Sequence, residues 1–172
     1  MATIPPVQPA RDHIRGAAQG RVTLVEYGDF QCPYCGDAYP VVRNLLDSFS
    51  WLRFVFRHMP LVDLHPRSEA AAQASEAAAA QGKFWEMHDR LFENQHALTD
   101  ADLSEHAAAV GLDVERFERE LREGVHAEHV AEDFQGGTAA GVPSTPGFFV
   151  DGQIHLGSAS ELDLRGAIEG AV

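Results

Sequence analysis

Two short apolar, β-rich runs near the start of the chain enclose one helical stretch, and no other feature restricts the possible folds as much. Residues 22–27 (VTLVEY) and 52–57 (LRFVFR) have the compact composition of buried strands. Between them, apolar side chains recur at helical spacing from about residue 33 to residue 48. Pro33 suits the first turn of this helix, where its missing N–H costs nothing, whereas Pro40 predicts a kink. The chain therefore opens with a predicted strand–helix–strand unit.

The middle of the chain has a different pattern, because nearly all of residues 65–140 has helical periodicity. Alanine-rich segments punctuated by polar residues, a Thr-Asp start and several glycine stops predict a series of short helices. Strand signals return at residues 147–150 and 153–156, which flank an Asp-Gly turn pair and predict a hairpin. An amphipathic helix over residues 161–168 follows.

These patterns predict how the domain is organised. The chain has 172 residues, which is enough for one domain with a proper core. The prolines of residues 1–20 predict an extended N-terminal arm, and residues 21–172 form a single predicted α/β domain. Because strand signals occur on both sides of the helical block at about residues 65–140, we predict that this block is inserted between two halves of one sheet.

Charge and hydropathy argue against several kinds of partner. The formal net charge is −13 at pH 7, which disfavours nucleic acid and anionic membranes, since affinity for both depends on Lys and Arg. No apolar run approaches the roughly 18 residues of a membrane span. The first residues (MATIPPVQPARDHIRG) lack the apolar core of a secretory signal. On these grounds we expect a cytoplasmic protein.

The chain has only two cysteines, Cys32 and Cys35, and three interpretations of the pair are open. A structural disulfide would close a very small loop and so would contribute little stability. A zinc site would need two further ligands, and the nine histidines show no zinc-ribbon spacing. His126 and His129 lie three residues apart on a predicted helix, which chance also produces.

A reactive dithiol is the interpretation that the position of the pair favours. Cys32 stands where a strand passes into a helix, and the free N–H groups and dipole of a helix N-terminus stabilise a thiolate. Cys35 follows one turn later, within reach for a disulfide. Pro33 stiffens the turn between them. One sulfur can then attack a substrate disulfide while the other resolves the mixed disulfide.

Four segments in a fixed order support a family resemblance. They are VTLVEYGDFQCPYC, LRFVFRHMPL, the helical region beginning HPRSEAAAQASEAAAAQGKFWEMHDRLF, and GVPSTPGFFVDG. Over about residues 20–170 the chain resembles a thiol–disulfide oxidoreductase of the thioredoxin superfamily, in the DsbA-like branch. The resemblance implies a thioredoxin fold, with a central β-sheet flanked by helices and an inserted helical subdomain.

The resemblance also implies roles for residues outside the cysteine pair. Pro146, preceded by Thr145, matches the cis-proline of the family, and it is favoured over Pro143 because it directly precedes the apolar strand. In the family this loop faces the cysteines and exposes backbone groups that pair with an extended substrate peptide. An ordinary trans loop proline is the alternative.

Glu26 lies six residues before Cys32, inside an otherwise apolar strand, where burial would raise the pKa of its carboxyl group. The family places an acidic residue here, beneath the active-site helix, and its implied role is to exchange a proton with Cys35 through water. The alternative is a glutamate that points to solvent from the end of the strand.

Tyr34 departs from DsbA, which has histidine at this place, and gives the Pro-Tyr dipeptide of glutaredoxins. A tyrosine gives the thiolate of Cys32 less electrostatic help. We therefore predict a reduction potential below the roughly −120 mV of DsbA and nearer the −200 to −230 mV of glutaredoxins. Pro33 and Tyr34 would also contact substrate. His58 and His65 are interpreted as structural, and Phe30 as a core residue that can contribute to an apolar docking surface.

The predicted function is dithiol–disulfide exchange with protein or peptide substrates, in which Cys32 attacks, Cys35 resolves and Glu26 handles the proton. No organic cofactor or metal is expected, and the redox partner is unidentified. In a reducing cytosol the pair would act as a reductase. A different class stays open, in which the chain is a redox-sensing or partner-binding module whose cysteines switch docking without turnover.

Overall fold

The computed structural model describes residues 3–172. Its strands are β1 (His13–Gly16), β2 (Val22–Gly28), β3 (Leu52–His58), β4 (Gly147–Val150) and β5 (Gln153–Ile154). Its helices are α1 (Pro33–Ser48), α2 (Ser68–Ala79), α3 (Phe84–Glu93), α4 (Asp100–Ala109), α5 (Val114–Glu123), α6 (Ala127–Ala139) and α7 (Glu161–Glu169). Among the described residues, no helix is long and apolar enough to cross a membrane.

The five strands form one mixed sheet in the order β1-β3-β2-β4-β5. The central pair, β2 and β3, is parallel, while β1, β4 and β5 are antiparallel to their neighbours. Almost every residue of β2, β3 and β4 is buried, as expected for strands that are covered on both faces. The confirmed prediction is therefore an α/β sheet with a helical region, α2–α6, inserted between its two halves.

Alternation along the strands produces two apolar clusters, one on each face of the sheet. Leu24 and Phe54 belong to the larger cluster, which also contains buried residues of α1 and of the inserted helices. Val25 and Val55 point the other way and pack with residues at the end of α6. Glu26 shares the face of Leu24, so its side chain lies on the side of the sheet that α1 covers.

The N-terminal segment differs from its prediction as an arm over residues 1–20. His13–Gly16 forms the edge strand β1, which pairs antiparallel with β3 from His13–Phe56 to Gly16–Arg53. The predicted boundary at residue 20 therefore falls inside the part of the chain that builds the sheet. A four-residue strand with the sequence HIRG has no alternating apolar pattern, so the pairing comes from β3 rather than from local preference. Met1 and Ala2 of the predicted arm lie outside the described residues.

The other element boundaries follow local sequence chemistry. The predicted helix at residues 33–48 is α1, and it continues as one helix through Pro40. The side chain of Thr99 begins α4 with a capping box to Asp102. Gly124 ends α5 at φ 63°, a left-handed conformation that favours glycine. Such signals explain why the limits of these helices could be expected from sequence.

Candidate active site

The two cysteines lie at the beginning of α1, directly beyond the end of β2. Cys32 is the N-cap residue and Pro33 the first helical residue, which places Cys35 in the first turn. Both thiols are free, and both side chains are almost completely covered, with 2% of Cys32 and 0% of Cys35 exposed. The helix thus presents a reduced, adjacent dithiol whose outer member lies just beneath the surface.

Cys32 has the properties of the attacking thiol. Its pKa is lowered to about 5, chiefly by a hydrogen bond from the side chain of Cys35, with further help from the N–H groups of Tyr34 and Cys35. In its thiol form Cys32 can donate to the carbonyl oxygen of Thr145, which lies 3.5 Å from its Sγ. The thiolate is therefore the main form of this side chain at neutral pH.

Cys35 has the opposite character. Its thiol is buried beneath Cys32, and desolvation, the hydrogen bond to Cys32 and the nearby Glu26 raise its pKa well above the ordinary value. The backbone N–H of Asp29 points at its sulfur, with 3.4 Å between N and Sγ. One sulfur of the pair is thus activated while the other keeps its proton.

Glu26 is buried on β2, between Phe56 of β3 and Phe148 of β4 in the sheet. Only 3% of the residue is exposed, and its Oε1 has no hydrogen-bond partner among residues 3–172. Burial, followed by repulsion from the Cys32 thiolate, raises the pKa of its carboxyl group to about 8. The expectation of a buried glutamate with a raised pKa therefore agrees with the geometry, and the solvent-exposed alternative does not.

A small cavity lies beside Glu26 and is lined also by Tyr39 of α1 and His88 of α3. Its volume is about 10 Å³, close to the space that one water molecule needs. His88 is buried, and its Nε2, like the Oε1 of Glu26, has no hydrogen-bond partner in the described part of the chain. Two of the residues that line this cavity, Glu26 and His88, thus each keep a buried polar atom without a partner.

The proline loop lies beside the cysteine pair, with the carbonyl oxygen of Thr145 3.5 Å from the Sγ of Cys32. The Thr145–Pro146 peptide bond is cis, and Thr145 is buried. Tyr34 is 71% exposed at the start of α1, so its ring is available to a molecule that approaches Cys32. Phe30 is buried and packs with Phe56 at 5.2 Å between ring centroids, which makes it a core residue.

Asp29 is a residue of the site that the sequence interpretation missed. Its Oδ1 accepts hydrogen bonds from the N–H groups of Gln31, at 2.8 Å, and Cys32, at 3.2 Å. Its Oδ2 accepts from the N–H of Leu61, at 2.9 Å, and lies 2.9 Å from Nδ1 of His65. One buried carboxylate therefore holds the cysteine turn to the loop after β3. An Asp three residues before the N-cap Cys32 was the available signal.

Gln95 is the second missed residue, and it comes from the inserted helical region. Its Nε2 donates to the carbonyl oxygens of Phe30 and Cys32, at 2.9 and 2.8 Å. Gly36 leaves the room for this contact, because a Cβ built there would lie 2.1 Å from Oε1 of Gln95. No local pattern marks Gln95, since its partners are more than 60 residues away in sequence.

The two histidines interpreted as structural lie in different surroundings. His58 is fully buried at the end of β3, and its Nε2 is 2.7 Å from Oε1 of Glu76. His65 is partly buried and contacts Asp29. Neither makes a hydrogen bond to a cysteine sulfur in the described part of the chain.

Comparisons with known proteins place this site in context. A family model described as "Thioredoxin" matches residues 9–170. A thioredoxin-like oxidoreductase from Silicibacter pomeroyi superposes with a TM-score of 0.85 and 30% identity, covering 95% of this chain and 93% of that one. BdbD from Bacillus subtilis in its oxidised form gives a TM-score of 0.86 at 23% identity, covering 99% and 97%.

The curated relatives are much longer proteins. The "Na(+)/H(+) antiporter NhaA 1" of Salinispora arenicola is 49% identical over 166 residues, which are 96% of this chain and 26% of the antiporter. The protein of the same name from Mycobacterium sp. (strain KMS) is 44% identical over 174 residues, which are 98% of this chain and 28% of that protein. This chain thus spans about a quarter of the length of the curated relatives it matches.

The expectation of a cytoplasmic protein is wrong. The curated relatives reported above are proteins named as Na⁺/H⁺ antiporters, and this chain matches a segment of each. A periplasmic thioredoxin-like protein from Salmonella enterica serovar Typhimurium shares the fold, with a TM-score of 0.76 at 18% identity. That match covers 94% of this chain and 90% of the Salmonella protein. The expectation depended on the first residues of the chain. Those residues say nothing about compartment when the same domain occurs within a larger membrane protein.

Proposed function

Because this chain belongs to the thioredoxin family, as a DsbA-like thiol–disulfide oxidoreductase domain, we propose that its CPYC pair exchanges a dithiol for a disulfide with protein or peptide substrates. The proposal rests on one observation: the pKa values of the two adjacent thiols are shifted in opposite directions. The pKa of Cys32 is lowered to about 5, whereas the pKa of Cys35 is raised. This division suits a first sulfur that attacks and a second that resolves.

In the reductive direction, the thiolate of Cys32 attacks one sulfur of a substrate disulfide. A mixed disulfide forms between Cys32 and the attacked sulfur, and the other substrate sulfur leaves as a thiolate. Cys35 then loses its proton and attacks the Sγ of Cys32, which releases the substrate sulfur held in the mixed disulfide as a thiolate. The substrate gains two electrons and becomes a dithiol, while Cys32 and Cys35 lose two electrons and become a disulfide. Oxidation of a substrate dithiol follows the same steps in reverse.

Glu26 is the group that we propose to receive the proton of Cys35. A pKa of about 8 makes the carboxyl group able to hold or release a proton near neutral pH. Glu26 is close enough to Cys35 for its charge to raise the pKa of that thiol. One water in the adjoining cavity, where His88 also lies, would complete a route away from the thiols.

Substrate docking is proposed at the loop of Thr145 and Pro146. The carbonyl oxygen of Thr145 is 3.5 Å from the Cys32 sulfur, so a peptide whose cysteine reaches Cys32 also reaches this backbone. Strand addition would supply main-chain hydrogen bonds without demanding a particular substrate sequence. Pro33 and Tyr34 form the opposite side of the approach, where the exposed ring of Tyr34 offers apolar contact.

Insulin reduction, followed as turbidity with a thiol donor present, tests the proposal. The wild-type chain is expected to turn over many equivalents of insulin, and Cys32→Ser is expected to have no activity above the donor alone. Cys35→Ser should accumulate a mixed disulfide at Cys32, visible by mass spectrometry and removed by reductant. His96→Ala, which changes an exposed side chain, is the control. Negligible turnover by the wild-type chain would favour a docking module instead.

A further inference from the structure

Four side chains from four separate elements of the fold converge at one point. They are His13 of β1, His58 of β3, Glu76 of α2 and His129 of α6. The Oε1 of Glu76 lies 2.6 Å from Nε2 of His13, 2.7 Å from Nε2 of His58 and 3.5 Å from Nε2 of His129. We infer that this His₃Glu cluster is a binding site for a divalent transition metal, with Zn²⁺ as the ion that suits it best.

The donor set is the first reason for this inference. Three imidazole nitrogens and one carboxylate oxygen are ligands that zinc prefers, and imidazole also suits copper, nickel and iron. The carboxylate balances part of the charge of a divalent cation in a site that is half buried. No thiol is involved, so the cluster is chemically separate from the cysteine pair.

The geometry is the second reason. Four tetrahedral ligands at 2.0–2.1 Å from zinc are about 3.3–3.4 Å from one another. All four ligand atoms of this cluster lie within 4.8 Å of one another. The set is therefore close to coordination distances, and small shifts of the side chains would complete the geometry.

The metal-free cluster is also short of hydrogen-bond acceptors. One carboxylate oxygen offers about two lone pairs, yet three imidazole Nε2 atoms surround the Oε1 of Glu76. A cation at the centre gives every nitrogen lone pair a partner.

Access and rigidity complete the argument. His58 and Glu76 form the buried floor, whereas the side chains of His13 and His129 are 14% and 23% exposed. Both of these rim histidines and Glu76 line an open surface groove, through which a hydrated ion can enter. The ring of His13 stacks on Phe84 with 3.5 Å between centroids, which limits its motion.

Zinc binding to the full chain tests the site, in a Cys32→Ser/Cys35→Ser background so that thiolates cannot bind the ion. After treatment with a chelator, ZnCl₂ is titrated in competition with a chromophoric zinc indicator. We expect one zinc ion per chain and a melting temperature that rises with zinc concentration, because the ion binds only the folded state. MgCl₂ at the same concentration should give no shift.

Two variants at different elements locate the site. His129→Ala removes a rim ligand, and Glu76→Gln keeps the shape of the side chain while removing its charge. Each should weaken zinc binding at least about tenfold, whereas the exposed His96→Ala should leave it unchanged. The inference is overturned if the parent protein binds no zinc, or if both folded variants bind it as tightly as the parent.

Discussion

At the scale of single residues, the lowered pKa of Cys32 can be measured directly. Thiolate absorbance near 240 nm should rise with a midpoint at about pH 5 and should be absent in Cys32→Ser. The hydrogen bond from Cys35 is the main cause of the lowered pKa. Such bonds to a charged group contribute about 1.5–3 kcal/mol, so Cys35→Ala should raise the midpoint by about one to two pH units. A wild-type midpoint near pH 9 would contradict this assignment.

Glu26 makes a second residue-scale prediction, which concerns stability. Its pKa is about 8 in the fold, against 4.5 for an ordinary glutamate. The unfolded chain therefore loses this proton first, and the free energy of unfolding falls as pH rises from about 4.5 to about 8. Replacing the carboxyl group in Glu26→Gln should stabilise the protein at pH 7 by roughly 3 kcal/mol at most, or about 6–12 °C in melting temperature.

The gain should disappear near pH 4, where the carboxyl is protonated in both states. Cys32 acts in the opposite direction, since its lowered pKa stabilises the reduced fold as pH rises from about 5. Both proteins are therefore compared in the same reduced state, so that this contribution cancels. Glu105→Gln, at an exposed position of α4, is the control. Equal melting temperatures for wild type and Glu26→Gln across this pH range would show that Glu26 is not buried as described.

At the scale of elements, Gln95 joins the inserted helices to the cysteine turn, and Gly36 leaves space for it. Gly36→Ala should displace Gln95, because the added Cβ would lie 2.1 Å from its Oε1. We expect a loss of about 1–3 kcal/mol in unfolding free energy, together with a shifted titration of Cys32. Gly166→Ala in α7 is the matched control: its Cβ would meet nothing within 4 Å, and alanine favours a helix.

The double variant Gly36→Ala/Gln95→Ala distinguishes a clash with the Gln95 side chain from an effect of losing the glycine itself. If the clash with Gln95 is the cause, the two changes together should cost less than the sum of their separate effects. Denaturant unfolding of the four proteins in the cycle measures this difference. Strict additivity would contradict the proposed contact.

At the scale of the whole molecule, the reduction potential depends on all of these local effects together. The lowered pKa of Cys32, at about 5, lies between the values near 3.5 for DsbA and near 7 for thioredoxin. We expect a potential between about −120 and −270 mV, the values of those two proteins. Equilibration in glutathione or dithiothreitol buffers, with trapping of free thiols, measures it. A value above about −140 mV would contradict the effect assigned to Tyr34.

Sequence alone predicts the parts of this molecule that depend on local chemistry. Cys32 precedes a helix that begins at Pro33, and Glu26 occupies an inward position of an apolar strand, so both could be identified from their neighbours. The pairing of β1 with β3 and the hydrogen bonds of Gln95 join distant segments of the chain. No periodic pattern of apolar residues indicates such contacts. The cluster around Glu76 was missed for the same reason, since its three histidines come from separate elements.

The carboxylate of Asp29 has a consequence for protein engineering. It holds the cysteine turn to the loop after β3 through Cys32 and Leu61, while Gln95 holds the same turn from the inserted helices. Grafting the tetrapeptide CPYC onto the helix of another scaffold would transfer the sulfurs but not these supports. A transplant that keeps the reactivity has to carry three separate segments: the strand end with Asp29, the loop at Leu61 and the helix end at Gln95.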